Sequence, residues 1–217
     1  DLIMDEDISI INSNTRNEKI KIFFADNKNK LIIFFVIVVL CFVSFFGYEE
    51  FKKRQKTSIS NEYNSIVLEF DYKNKDNTVN KLINLVNKKD STYSPLSLYF
   101  IIDNKLINDN QKLNVLFDIL IEETPLEKEI KNLVIFKKAL LNADDYDEIK
   151  MLNILKPLIN SDSIWKSHAL YLLAEFFYFN EEKEKAKEFF NQIINLENAN
   201  PDIKLKSQKR LNRDLSE

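Results

Sequence analysis

The chain has one histidine, His168, and it is the first place to look for chemistry. Tyr171, Glu175 and Tyr178 follow it by three, seven and ten residues, spacings that put all four on one face of an α-helix. A histidine beside a carboxylate can act as a general base, but this couple comes without a nucleophile and carries no hydrolase signature. Cys41, the one cysteine, falls inside an apolar run, where it reads as a small packing residue. Two soft ligands are too few for a Cys/His zinc site. Asp144, Asp145, Asp147 and Glu148 form an acidic cluster, but it lacks the glycine and ligand spacing of a calcium-binding loop. It reads as a solvated turn entering a helix N-terminus, where carboxylates are favoured. The residues therefore imply no catalysis, no metal and no cofactor. Two readings stand for His168, Tyr171, Glu175 and Tyr178. One is a partner-binding patch on the concave side of a repeat, with aromatic anchors and a carboxylate. The other is an ordinary amphipathic face packed on a neighbour.

What must position these side chains is helical. The 217 residues include one glycine, where ordinary usage of roughly 7% would give about 15. Phosphate loops and dinucleotide-binding turns need several glycines for close backbone approach. Hairpin-rich sandwiches and barrels need glycine at positive φ. Helices need it least. The counts of 26 Asn, 26 Ile and 27 Lys against 7 Ala and 4 Arg also have the skew of an AT-rich genome, so coding bias explains part of the scarcity. The net charge of −3 gives no sign of a nucleic-acid partner.

Residues 31–47, LIIFFVIVVLCFVSFFG, carry no charge and only Ser44 as a polar side chain. At 1.5 Å per residue they cover about 25 Å, the short end of a transmembrane helix. Tyr48 and Phe51 suit one interface, and Lys28 and Lys30 can snorkel at the other. A cleaved signal peptide fits poorly, because its leader would hold six acidic residues and Phe45 would be too bulky beside the cut. The expected organisation is an N-terminal segment over 1–30, a lipid-embedded span over 31–48 and a helical domain over 49–217. Five cations precede the span and four follow it within fifteen residues, so charge barely orients it. Ile20, Ile22, Phe23 and Phe24 form a small amphipathic stretch, and Met4 is a candidate start.

From residue 59 the apolar residues recur at helical spacing, as in Leu113, Leu116, Phe117 and Leu120. Polar breaks are expected near 73–77, 87–92, 108–111, 122–125, 142–145, 160–163, 180–182 and 197–201, with Asn and Asp supplying the turn chemistry. Pro95, Pro125 and Pro201 lie near helix starts, and Pro157 is expected to bend or end its helix. First helices of successive pairs begin near 59, 93, 127 and 163, and second helices near 76, 110, 145 and 181. A period of about 34 residues is that of tetratricopeptide repeats, whose pairs bury their apolar faces only by stacking. The last pair matches best, through Leu170, Leu173, Ala174, Phe177, Ala186, Phe190 and Ile193. The fold class is thus all-α, one transmembrane helix followed by a tetratricopeptide-like α-hairpin solenoid. EEKEKAKE at 181–188 reads as a solvated face with a helpful Glu181–Lys185 pair. Trp165 reads as a packing residue worth roughly 3–5 kcal/mol if buried.

The layout, with YSPLSLYFIID at 93–103 and SIWKSHALYLLAEFFYF at 163–179, resembles the tetratricopeptide-like family of the ancillary SecYEG translocon subunit, in its divergent alphaproteobacterial form. Trp165, Ala169, Leu170, Leu173 and Ala174 fall where that family opens and fills the corresponding helix. The resemblance implies a bacterial inner-membrane protein with a cytoplasmic N-terminus and a periplasmic domain. Its implied partners are the SecYEG translocon and periplasmic chaperones or secretory clients. The alternative is an anchored scaffold for another cell-envelope assembly, such as one for envelope biogenesis or division.

Overall fold

The computed structural model describes residues 18, 19 and 21–215; Met4, Ile20 and most of the N-terminal segment lie outside them. Every regular element among the described residues is helical. Helix α1 (Lys28–Leu68) is 41 residues long and contains the expected span. Its most apolar stretch has a mean hydropathy of 2.9, and none of that stretch is buried. Among the described residues it is the one helix long and apolar enough to cross a membrane. The helix expected to begin near 59 does not begin there. Residues 49–68 hold no proline and only one β-branched pair, Ile66–Val67, so nothing ends α1 before Leu68.

The chain divides into two compact units, one ending at Thr57 and one from Ser58 onward. In the first, the side chains of α1 are almost all exposed. Ile22, Phe23 and Phe24 are exposed as well.

The second unit starts with the last residues of α1 and a short 3-10 turn, Tyr72–Asn74. Eight helices follow: α2 (Lys75–Asn87), α3 (Tyr93–Asp103), α4 (Asn110–Asp118), α5 (Lys128–Leu141), α6 (Glu148–Ile159), α7 (Lys166–Phe179), α8 (Lys183–Asn195) and α9 (Pro201–Asp214). Between α4 and α5 the chain widens into a π-turn, Ile119–Glu123. The first break falls at residues 69–71, before the expected 73–77; the others fall within a few residues of expectation. Helix α6 runs through Pro157 and on to Ile159, so the proline neither starts nor stops it.

Asn and Asp supply the turn chemistry. Asp109 accepts from the backbone of Gln111 and Lys112, Asp147 from Lys150, and Asn200 from Asp202 and Ile203. At the other ends the lack of glycine leaves a mark. Lys105 (φ 50°) and Glu181 (φ 63°) adopt the left-handed conformation just past α3 and α7. Each closes a Schellman motif. Lys105 N donates to Ile102 O at 3.0 Å and Leu106 N to Ile101 O at 2.9 Å. Glu181 N donates to Tyr178 O at 3.1 Å and Glu182 N to Phe177 O at 2.9 Å. Glycine usually fills this place, and any side chain there is held at a steric cost.

Helices α2 and α3 pack on each other, as do consecutive helices from α4 to α9, and α7 also touches α9. The core has two clusters that meet at α5, where Val134 joins the first and its neighbour Ile135 the second. Phe117 is fully buried in the first, and Phe177 and Phe190 in the second. Ala174 and Ala186, small residues on α7 and α8, are completely buried, which lets those two helices approach closely. Burying a large apolar side chain contributes about 1.5–3 kcal/mol. These contacts, more than the propensity of Asn-rich segments, hold the short helices.

Candidate functional site

Helix α7 carries His168, Tyr171, Glu175 and Tyr178 on one side, all half-buried. The structure divides them into two groups with different surroundings. His168 sits in an aromatic cluster. Its ring lies 5.2 Å from that of Trp165 and 6.0 Å, edge to face, from Phe136 of α5. Its Nδ1 is buried and has no hydrogen-bond partner among the described residues. Burial, with a smaller contribution from the Lys206 ammonium on α9, pushes the imidazole below its ordinary range.

The other three residues face Arg210 of α9. Arg210 Nε donates to Glu175 Oε1 at 2.8 Å and Nη2 to Oε2 at 2.5 Å, a bidentate pair. The guanidinium carbon lies 4.2 Å from the centre of the Tyr178 ring. Arg210 also donates to Asp214, one turn along its own helix. The Glu175 bond and the Asp214 bond hold the guanidinium above its usual range. Tyr171 packs edge to face on Phe190 at 5.6 Å. Burial, aided by the Glu175 carboxylate, pushes its phenol up to about 12. Both oxygens of Glu175 are engaged by Arg210, so the carboxylate is occupied rather than poised beside His168. An open depression of 390 Å³ lies at this end, lined by Glu175, Tyr178, Phe179, Glu181, Lys183 and Arg210. Phe179 is 81% exposed there.

Trp165 is half-buried and stacked on Phe136, with ring centroids 6.1 Å apart. The full burial assumed for the larger cost is absent, so its replacement by alanine is expected to cost about 2 kcal/mol. Lys185 does not pair with Glu181, which lies outside the helix. It bonds Glu148 of α6 at 2.8 Å and Glu182 at 2.7 Å. Asp144, Asp145 and Asp147 lie in the turn into α6, which Asp147 caps, and Glu148 is the first residue of that helix. Asp145 accepts from Asn110 at 3.0 Å. No group of three metal-ligating side chains comes together among the described residues.

A set of polar contacts escaped the reading of the residues. Ser163 Oγ donates to Glu129 Oε2 at 2.7 Å, and Ile164 N donates to the same oxygen at 3.3 Å. Asn132, itself buried, donates to Ser163 Oγ at 3.0 Å. Glu129 of α5 thus ties down the turn that leads into α7. Asn114 and Asn142 exchange two amide hydrogen bonds of 2.8 Å. Asn114 and Asn142 are 28 residues apart and Lys138 and Asp118 only 20, but six other contacts between elements lie close to one period. Tyr93 to Ser60 spans 33 residues, Ser163 to Glu129 spans 34, and Asn110 to Asp145 spans 35. Lys185 to Glu148 spans 37, Asn200 to Ser167 spans 33, and Arg210 to Glu175 spans 35. A search for complementary polar residues about one period apart would have found Glu175 with Arg210 and Ser167 with Asn200.

Family models, curated proteins and solved structures give no match to this chain.

Proposed function

We propose that this chain is a membrane-anchored protein-binding module whose second unit is a tetratricopeptide-like stack of helix pairs. The observation that carries the reading is a separation of 33 to 37 residues that recurs at six of the polar contacts between elements, beside shorter ones such as Asn114–Asn142. Such bonds arise when equivalent positions of successive repeats face each other. Helix starts agree. Helices α2, α4, α6 and α8 begin at 75, 110, 148 and 183, and α3, α5, α7 and α9 at 93, 128, 166 and 201. Both series step by 35, 38 and 35 residues. On this reading the first helix of the stack is the end of α1, and α9 is a closing helix.

The exposed apolar stretch of α1 supplies the anchor, and the domain scaffolds other proteins without catalysing a reaction. The resemblance described above supplies the partners: the SecYEG translocon, and periplasmic chaperones or secretory clients. It also supplies the location, an inner-membrane protein with its domain in the periplasm. Crosslinking in intact membranes followed by capture tests the partners. Translocon subunits or secretory clients should copurify. Their absence, with another envelope assembly recovered instead, would move the assignment to that assembly. A reporter fused after Glu217 tests the topology, since activity confined to the cytoplasm would refute a periplasmic domain.

A further inference from the structure

Beyond the apolar stretch, α1 continues as a helix with four cations in five residues: Lys52, Lys53, Arg54 and Lys56. All four are exposed. Arg54 is occupied by Glu50, with Nε donating to Oε1 at 2.8 Å. The Lys52 ammonium lies 5.6 Å from the centre of the Tyr48 ring, one turn nearer the apolar stretch. At 100° per residue, Lys52, Lys53 and Lys56 occupy about 100° of the helix surface. Below them on the same side come Glu49, then Phe45 and Phe42. After the Glu50–Arg54 pair is set aside, this side holds three cations against one carboxylate, Glu49.

Two geometric facts aim these cations at a membrane. Lys52, Lys53 and Lys56 lie five, six and nine residues past Gly47, about 7.5, 9 and 13.5 Å along the axis, so Lys56 reaches the layer only through the full length of its stem. The headgroup layer extends about 5–7 Å beyond the hydrocarbon on each side. In addition, every Cα–Cβ bond of a helix tilts toward its N-terminus. For residues after the apolar stretch, that direction is back toward it. Lysine stems here therefore lay their ammonium groups into the headgroup layer, while those of Lys28 and Lys30, before the stretch, start out pointing away. The two flanks carry similar charge but unequal reach.

We infer that Lys52, Lys53 and Lys56 form a binding site for the phosphate of anionic phospholipids in the membrane that α1 crosses. The inference rests on the membrane anchor proposed above. Net charge decides the lipid class. A surplus of two cations favours a net-negative headgroup, and Glu49 opposes it. The test uses the full chain in phosphatidylcholine vesicles doped with spin-labelled lipids. Spin-labelled phosphatidylglycerol should be immobilised about fivefold more strongly than spin-labelled phosphatidylcholine. The preference should fall in high salt and vanish in the Lys52→Gln/Lys53→Gln/Lys56→Gln variant. It should persist in Lys28→Gln/Lys30→Gln and rise in Glu49→Gln. Insertion into vesicles without preference for phosphatidylglycerol overturns the inference alone. A preference retained by the triple variant, or one for zwitterionic phosphatidylethanolamine, overturns it too. A chain that fails to float with vesicles overturns the anchor and this site together.

Discussion

His168 shows how little of a residue's role follows from its type. The helix face it shares with Tyr171, Glu175 and Tyr178 was legible from spacing alone. Its division was not, because Phe136 and Arg210, which set the two surroundings, come from other parts of the chain. The imidazole is held below its ordinary range by burial, so the folded protein favours the neutral ring. The unfolded chain therefore takes up a proton first as pH falls. The stability linked to this ring is complete above the unfolded value of about 6.5 and is lost progressively as pH falls through it. Urea midpoints measured between pH 8 and 5 should decline more steeply for the natural chain than for His168→Phe, which carries no titrating group. Equal slopes would show that the ring does not couple to folding. Arg210 is the complementary case. Its replacement by methionine leaves Glu175 without its bidentate partner, and a loss of about 2–3 kcal/mol in urea unfolding is expected. Replacing Glu175 by glutamine alongside it should recover part of that loss.

At the scale of the element, helix existence was readable and two details were not. The polar breaks fell where Asn and Asp collect, since these residues cap helices through their own side chains. Continuity of α1 past residue 59 was hidden, because the change from apolar to polar composition looks like a boundary when the backbone makes none. The left-handed residues were hidden for the same kind of reason, since Lys105 and Glu181 carry no turn signature. They make a prediction of their own. Lys105→Gly and Glu181→Gly should each stabilise the domain by about 1 kcal/mol, relieving the clash between Cβ and the following carbonyl. For a chain of this size that is a rise in Tm of about 2–4 °C. Calorimetry of the two variants measures it, and a fall in Tm would mean that contacts of these side chains outweigh the backbone strain.

For the whole molecule, the period was the most legible feature, because apolar faces and polar breaks repeat together. Its longest step runs from 128 to 166, as the expected starts near 127 and 163 had it, and from 110 to 148, one pair before the expected step from 145 to 181. The turn 142–147 is six long against the three of 180–182, while the equally long turn 104–109 follows a helix of only eleven residues, against fourteen for α5. Neighbour-to-neighbour packing gives a further expectation. Ending the chain after Ala199 removes α9 and with it the buried Ile203, Ser207 and Leu215. The urea midpoint should fall and the m-value shrink with the surface no longer buried, while the helices of the first core cluster, whose buried residues end at Val134, keep near-native helicity.

The recurring bonds between helices also have a mechanical meaning. Six of them join residues about one period apart, so load applied between Ser58 and Leu215 meets similar fasteners in series. A period of about 35 residues releases roughly 115–125 Å of extended chain. Pulled in an optical trap, the domain should lengthen in steps of that contour length, or whole multiples of it, less the size of the folded pair that each step removes. Among the described residues the helix latched by Arg210 and Glu175 packs mainly on α7 and α8, and it is expected to peel away first.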